Sequence, residues 1–305
     1  MSQNSHMRSK PSVAIIGAGR LGQALALALS RRGYPIVALV ARHRRTAEQA
    51  AAAIGKLGSK PRALTSAELA QLPAADIIIV ATPDDAIQAT AQQLSRVLTK
   101  ETSATVLHTS GALSSEILAP LTEKHFETGS IHPLVSISTP AAGADALRGA
   151  FYCLEGTRKA KAVAASLVRA LGGSSFSVSS ENKALYHAAA VMASPHLVSL
   201  FDLATGMLEA CGLSKQKSRE ILAPLLASTV TNLKTANAAR ALTGTFARGD
   251  VATVRRHLAA LSGKELTAAR EVYKLLGLHS LKLAEQRGLD ARRSQQIGKL
   301  LLGKD

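Results

Sequence analysis

Short apolar runs rich in β-branched residues punctuate the first half of the chain. They are Val13–Ile16, Tyr34–Val40 and Asp76–Pro83, and each is apolar on both faces. That pattern predicts parallel strands covered by helices on either side, not half-exposed antiparallel ones. Weaker runs predict further strands at Arg62–Leu64, Thr105–Ala112, Gly129–Leu134, Phe151–Gly156 and Ser175–Val178. Between them, segments with helical spacing of apolar residues follow the first strand and cover Thr46–Gly55, Asp84–Leu98 and Lys159–Leu171. From Ser180 onward the β-rich runs stop and helical periodicity persists. Helices are predicted at Glu181–Ala210, Lys215–Asn237, Asp250–Leu261, Lys264–Arg287 and Asp290–Leu302. Pro195 and Pro224 fall inside two of these and predict kinks or breaks there. The expected architecture is a flexible tail over residues 1–10, a doubly wound, mostly parallel α/β sheet over 11–179, and a separate all-helical domain over 180–305.

The first strand runs directly into Gly17-Ala18-Gly19-Arg20-Leu21-Gly22 and then an Ala/Leu helix. The spacing G-x-G-x-x-G is common by itself. Between a buried strand and a helix it is the dinucleotide fingerprint of a Rossmann sheet. Gly17 allows the tight turn, Gly19 lets a pyrophosphate approach the backbone, and Gly22 lets the helix pack on the strand. The opening amides of the helix, those of Arg20 and Leu21, are then free to bind phosphate.

Composition narrows the picture. Of the 305 residues 47% are hydrophobic, so a packed core is expected and wholesale disorder is not. Aromatics are only 3%, so that core is built from Ala, Leu, Val and Ile. Two cysteines make no disulfide framework and point to a reduced, cytoplasmic setting. No apolar run is expected to reach membrane-spanning length, and the polar N-terminus lacks the apolar stretch of a secretory signal. The net charge of +16 favours anionic partners. The basic residues are scattered, however, and stacking aromatics are scarce, so no nucleic-acid module is expected.

The second strand ends at Ala41, where NAD enzymes carry an acid for the ribose hydroxyl. Here Arg42, His43, Arg44 and Arg45 follow instead. A guanidinium binds a 2′-phosphate that a carboxylate would repel, so NADP is expected, with Arg42 and Arg45 as its readers. Ala81-Thr82-Pro83 close a strand where ligands dock in open α/β sheets, and are expected to line the cofactor. Asp84 and Asp85 are read as helix caps only. By the same rule Ser110 and His132, at the ends of later strands, are expected near the nicotinamide and substrate. Lys183 and His187 share one helical face. With Ser180 as cap, Lys183 falls in the first turn, where the helix dipole disfavours a cation. Partial burial there suits it to proton transfer, with His187 beside it. Arg248, in the loop Thr243–Asp250, is a candidate to hold a substrate carboxylate. No metal-ligand spacing is present, and none is expected.

Taken in order, these segments resemble a known family. They are the glycine fingerprint, Ala81–Ile87, His108–Ala112, Ile131–Leu134, Lys183–Ala190 and Leu242–Asp250. The resemblance is to predicted bacterial oxidoreductases that join a Rossmann-like NADP-binding domain to a helical C-terminal domain of unassigned function. It runs from about Pro11 to the end of the chain. It implies kinship with the pyrroline-5-carboxylate reductase, ketopantoate reductase and β-hydroxyacid dehydrogenase group, with a helical half like the C-terminal part of 6-phosphogluconate dehydrogenase. It further implies a homodimer formed through that half and a small carboxylate-bearing keto or hydroxy acid, ketopantoate-like, as substrate. In that group a lysine matching Lys183 donates the proton, with an asparagine where His187 stands here. Thr245 and Ser194-Pro195-His196 also depart from the pattern. The alternatives are an imine reductase acting on pyrroline-carboxylate-like compounds, and an NADP-binding sensor without turnover.

Overall fold

The computed structural model describes residues 10–99 and 103–304. The tail expected over 1–10 therefore lies, apart from Lys10, outside the described residues. The chain divides into two compact units, residues 1–194 and 195–305.

The first unit is built on one eight-stranded sheet. Its strands are β1 (Val13–Ile16), β2 (Ile36–Ala41), β3 (Arg62–Thr65), β4 (Ile77–Val80), β5 (Thr105–His108), β6 (Glu127–Pro133), β7 (Phe151–Gly156) and β8 (Ser174–Phe176). Their spatial order is β3-β2-β1-β4-β5-β6-β7-β8. Every pairing is parallel except β6 with β7. The order reverses between β1 and β4, which opens a crevice beyond their carboxyl ends.

Seven helices accompany the sheet: α1 (Arg20–Arg31), α2 (Arg44–Gly55), α3 (Asp84–Val97), α4 (Ala119–Thr122), α5 (Pro140–Ala146), α6 (Arg158–Leu171) and α7 (Lys183–Ala193). The strand period of two sorts the core into two layers. Val13 and Ile15 join Leu25 and Leu29 of α1 and Leu167 of α6 on one face. Ala14 and Ile16 join Ile87, Ala91 and Leu94 of α3 on the other.

The second unit is helical: α8 (Pro195–Ala210), α9 (Lys215–Thr235), α10 (Ala238–Ala241), α11 (Gly244–Ala247), α12 (Val251–Ala260), α13 (Thr267–Glu285) and α14 (Ala291–Leu302). Its buried centre is small, formed by Val254, Leu281, Ile297 and Leu301. By contrast α8 and α9 expose Val198, Leu225 and Leu233. Pro224 is accommodated inside α9 without ending it.

Pro195 does break its helix. Ser194 takes φ −127° and ψ −75°, outside the helical region, and separates α7 from α8. One expectation is corrected here: Ser180–Ala210 contains an 18-residue window of mean hydropathy 1.3 and is long and apolar enough to cross a membrane. Its small alanines make that run inconspicuous, and the Ser194 break divides it. His257 is exposed, with its Nδ1 2.8 Å from the Tyr273 hydroxyl.

Candidate active site

The turn after β1 is shaped by its glycines. Gly17 takes φ +105°, and a Cβ there would lie 2.5 Å from the carbonyl carbon of Ala81. A Cβ on Gly22 would lie 2.0 Å from the Gly17 carbonyl oxygen. Both glycines are therefore required by the packing of β1, α1 and the end of β4. Gly19 differs, because a Cβ there would meet nothing within 4 Å. It faces open space at the start of α1, whose N-terminus has no side-chain cap and no acid in its first turn.

That open space is a cavity of about 500 Å³ at the carboxyl ends of β1, β4, β5 and β6. Gly19, Arg20, Leu21, Ala81, Thr82, Pro83, Ser110, His132 and His187 all line it, with Asp84, Thr109 and Gly111. The Thr82 hydroxyl is buried and has no hydrogen-bond partner among the described residues. An orphaned hydroxyl, uncapped helix amides and a glycine whose missing side chain leaves room fit a dinucleotide pyrophosphate and its ribose. Further out, Arg42 and Arg45 are exposed and make no hydrogen bond or ion pair among the described residues. Arg44 is occupied by the Ala63 carbonyl and the Glu68 carboxylate, which leaves its two neighbours as the available guanidiniums.

Two histidines face each other at the far end. The rings of His132 (β6) and His187 (α7) are 5.6 Å apart, edge to face. Gly111 makes this possible: a Cβ there would lie 2.5 Å from the His187 ring and 2.7 Å from that of His132. Burial, helped by repulsion from His187 and Lys183, lowers the pKa of His132 to about 4. It is therefore neutral near pH 7. The Tyr186 hydroxyl lies 2.6 Å from its Nδ1.

Lys183 stands apart from what the sequence suggested. It begins α7 and is 1% exposed. Its ammonium donates to the Ser130 hydroxyl at 3.0 Å and the Ser110 carbonyl at 3.2 Å. It is absent from the cavity lining. Burial lowers its pKa. Its ammonium ties the Ser110 carbonyl, after β5, to the Ser130 hydroxyl of β6. The helix cap is also displaced, because Ser180–Asn182 form a 3₁₀ turn before α7.

Several participants escaped the sequence reading. Ser130 lies two residues before His132, and strand alternation places both on one face, which was the available signal. Glu155, opposite Ser130 in the β6–β7 register, accepts from that hydroxyl at 3.4 Å and from the Ser115 amide and hydroxyl at 2.7 Å. Asp84 and Asp85, read as caps, are not: Pro83 takes the cap position and no side chain caps α3, while the Asp84 carboxylate accepts from the Ser110 hydroxyl at 2.9 Å. His108 turns away from the cavity. Its Nδ1 accepts from the Ser110 amide at 3.1 Å, so Nε2 carries the proton toward the Ser114 carbonyl at 3.2 Å.

Arg248 belongs to the second unit. It is exposed after α11, and its carbonyl accepts from Arg293 at 3.4 Å. Among the described residues, no group of histidine, cysteine and acidic side chains is suited to a metal ion.

Residues 1–133 match a Rossmann-like domain, and residues 150–280 match a domain of unknown function, DUF2520. The chain thus joins a Rossmann-like domain to a DUF2520 domain. No curated protein matches it. Among solved structures it is similar to a candidate NADP oxidoreductase from Bacteroides fragilis, at 22% identity and TM-score 0.71, over 90% of this chain and 99% of the other. It is similar to a Thermotoga maritima protein at 24% identity and TM-score 0.68, with the same coverage of 90% and 99%. It is also similar to the pyrroline carboxylate reductase of Plasmodium falciparum with NADP bound, at 13% identity and TM-score 0.58, over 95% of this chain and 99% of the other. At such identities these likenesses establish the fold.

Proposed function

We propose that this protein is an NADP-dependent oxidoreductase acting on the carbonyl or imine carbon of a small substrate. The observation that carries the proposal is a single cavity. It gathers the glycine turn, the orphaned Thr82 hydroxyl and the His132–His187 pair beyond the strand ends. When bound, NADPH supplies the hydride. Gly19, Arg20 and Leu21 hold its pyrophosphate, with Gly17 and Gly22 shaping the turn. Ala81, Thr82 and Pro83 border the ribose, and Arg42 and Arg45 read the 2′-phosphate.

At the reacting end, Ser110 and His132 would orient the substrate, and with a carbonyl substrate His187 would give a proton to its oxygen; an iminium would need none. Lys183 serves this site from beneath, by fixing the ends of β5 and β6. Direct donation by Lys183 is not favoured by its burial and its two protein acceptors.

The first substrate reading is a ketopantoate-like keto acid, with Arg248 as its carboxylate partner on residue type alone. An imine is favoured by a separate observation. Apart from Arg20, the charged side chain on the cavity wall is the Asp84 carboxylate, which suits a cationic iminium better than an acid. A homodimer through the second unit is supported by the exposed apolar faces of α8 and α9. The unpaired cysteines, Cys153 and Cys211, agree with a cytoplasmic setting.

The test is a panel of keto acids and cyclic imines with NADPH or NADH. Turnover of either class with a preference for NADPH supports the proposal and chooses the substrate class. Tight NADPH binding with no turnover across the panel would leave a sensor, and no NADPH binding would end the reading.

A further inference from the structure

His132 has two ring nitrogens, and the structure occupies one. The Tyr186 hydroxyl is 2.6 Å from Nδ1, while Nε2 makes no hydrogen bond among the described residues and His132 lines the cavity. The direction of the 2.6 Å bond decides what His132 offers a ligand. Tyr186 also meets the Cys153 thiol, whose sulfur already interacts with the Val178 amide. Burial keeps both hydroxyl and thiol protonated. A thiol sulfur is a weak acceptor, and an imidazole lone pair is a strong one. Of the two acceptors in reach the imidazole is the better, so the tyrosine O–H goes to Nδ1 and the histidine proton is left on Nε2. Two ring contacts hold the tyrosine in place: Phe176 at 5.7 Å and His132 itself at 5.6 Å, both edge to face.

We propose that Tyr186 is a positioning residue that locks His132 as the Nε2–H tautomer, so that His132 presents a hydrogen-bond donor, not a lone pair, to the substrate. The catalytic consequence rests on the oxidoreductase reading; the tautomer does not. A neutral donor at this place grips a carbonyl oxygen or another lone-pair-bearing atom. With a carbonyl substrate the proton delivered to product then comes from His187, because His132 keeps its own.

The test is long-range proton–nitrogen NMR of the intact protein, with His132 assigned by comparison with His132→Gln. In the wild type, Nδ1 is expected at the shift of an unprotonated acceptor and Nε2 at that of a protonated nitrogen. In Tyr186→Phe, which keeps the ring packing, the two shifts should move toward each other as the tautomers exchange. A protonated Nδ1 in the wild type would overturn the proposal, and this measurement needs no variant to fold. A Tyr186→Phe spectrum identical to the wild type would also overturn it. Where turnover is measurable, Tyr186→Phe should lower kcat by about 10- to 100-fold and leave the KM for NADPH unchanged. Unchanged kcat would remove the positioning role. Absence of turnover in the wild type would instead count against the oxidoreductase reading and leave the tautomer result standing.

Discussion

The Lys183 ammonium sits 3.0 Å from the Ser130 hydroxyl, buried beneath the turn that carries Ser110. Its charge is felt by His108 and His132, both of which it holds toward the neutral form. Lys183→Met keeps the length and removes the charge. The titrations of His108 and His132, followed by NMR, are expected to move upward. Turnover should fall by about 100-fold as the β5 and β6 ends lose their tie. NADPH affinity should hold, because Lys183 touches none of the cofactor-facing turn. Unmoved titrations would show that the buried charge does not reach the histidines.

Stability should depend on pH through those same histidines. Burial lowers the pKa of each to about 4, with Lys183 the next cause for His108. In the unfolded chain they titrate near 6.5. Between these values the unfolded state binds more protons, so acid favours unfolding. Their contribution is whole above about pH 6.5 and is lost as pH falls toward 4, at no more than about 1.4 kcal/mol per pH unit for each group. Urea midpoints at pH 7 and pH 5 measure this, and His132→Gln should flatten the difference.

Among the described residues Arg42, after β2, and Arg45, in the first turn of α2, make no hydrogen bond or ion pair, while Arg44 is tied to the Ala63 carbonyl. Loss of a charge-assisted phosphate contact costs about 1.5–3 kcal/mol, or roughly 10- to 150-fold in affinity. Arg42→Ala is expected to weaken NADPH by that order and to leave NADH nearly unchanged. Calorimetric titration with both cofactors decides it; equal losses would move the 2′-phosphate elsewhere.

Gly111 has an ordinary backbone conformation, so its value lies in what a methyl would strike. Gly111→Ala should push apart the rings of His132 and His187. Turnover is expected to collapse while thermal unfolding shifts by only a few degrees. A fully active Gly111→Ala protein would mean that the two rings need not face each other.

In the second unit, Val198 and Leu225 are 69% and 63% exposed on α8 and α9, beside a groove lined by Leu200, Phe201 and Leu222. Covered by a second copy, this face explains the small buried centre of the unit. If the proposed homodimer forms, Leu225→Asp should shift it to a monomer in light scattering. A monomeric wild type would remove the homodimer proposal.

The sheet was legible because its strands are local: Val13–Ile16 and Ile77–Val80 announce themselves by composition, and Gly17 by the turn it permits. The antiparallel entry of β7 was not, since direction is set by the path of the chain between strands. For the candidate site, sequence spacing could pair Lys183 with His187, four apart on one face. It could not tell which of the two reaches the cavity, because the depth of a side chain depends on strands more than fifty residues away. Sequence separation likewise concealed Asp84 against Ser110, 26 residues apart, and Tyr186 against His132, 54 apart.

The break at Ser194 assigns α7 to the first unit although its sequence runs unbroken into the apolar α8. His132, Lys183, Tyr186 and His187 therefore share one compact unit, although the DUF2520 match, residues 150–280, spans the break. The hydrogen bonds that set His132 and Lys183 all close within residues 1–194, so a cut between residues 194 and 195 severs none of them.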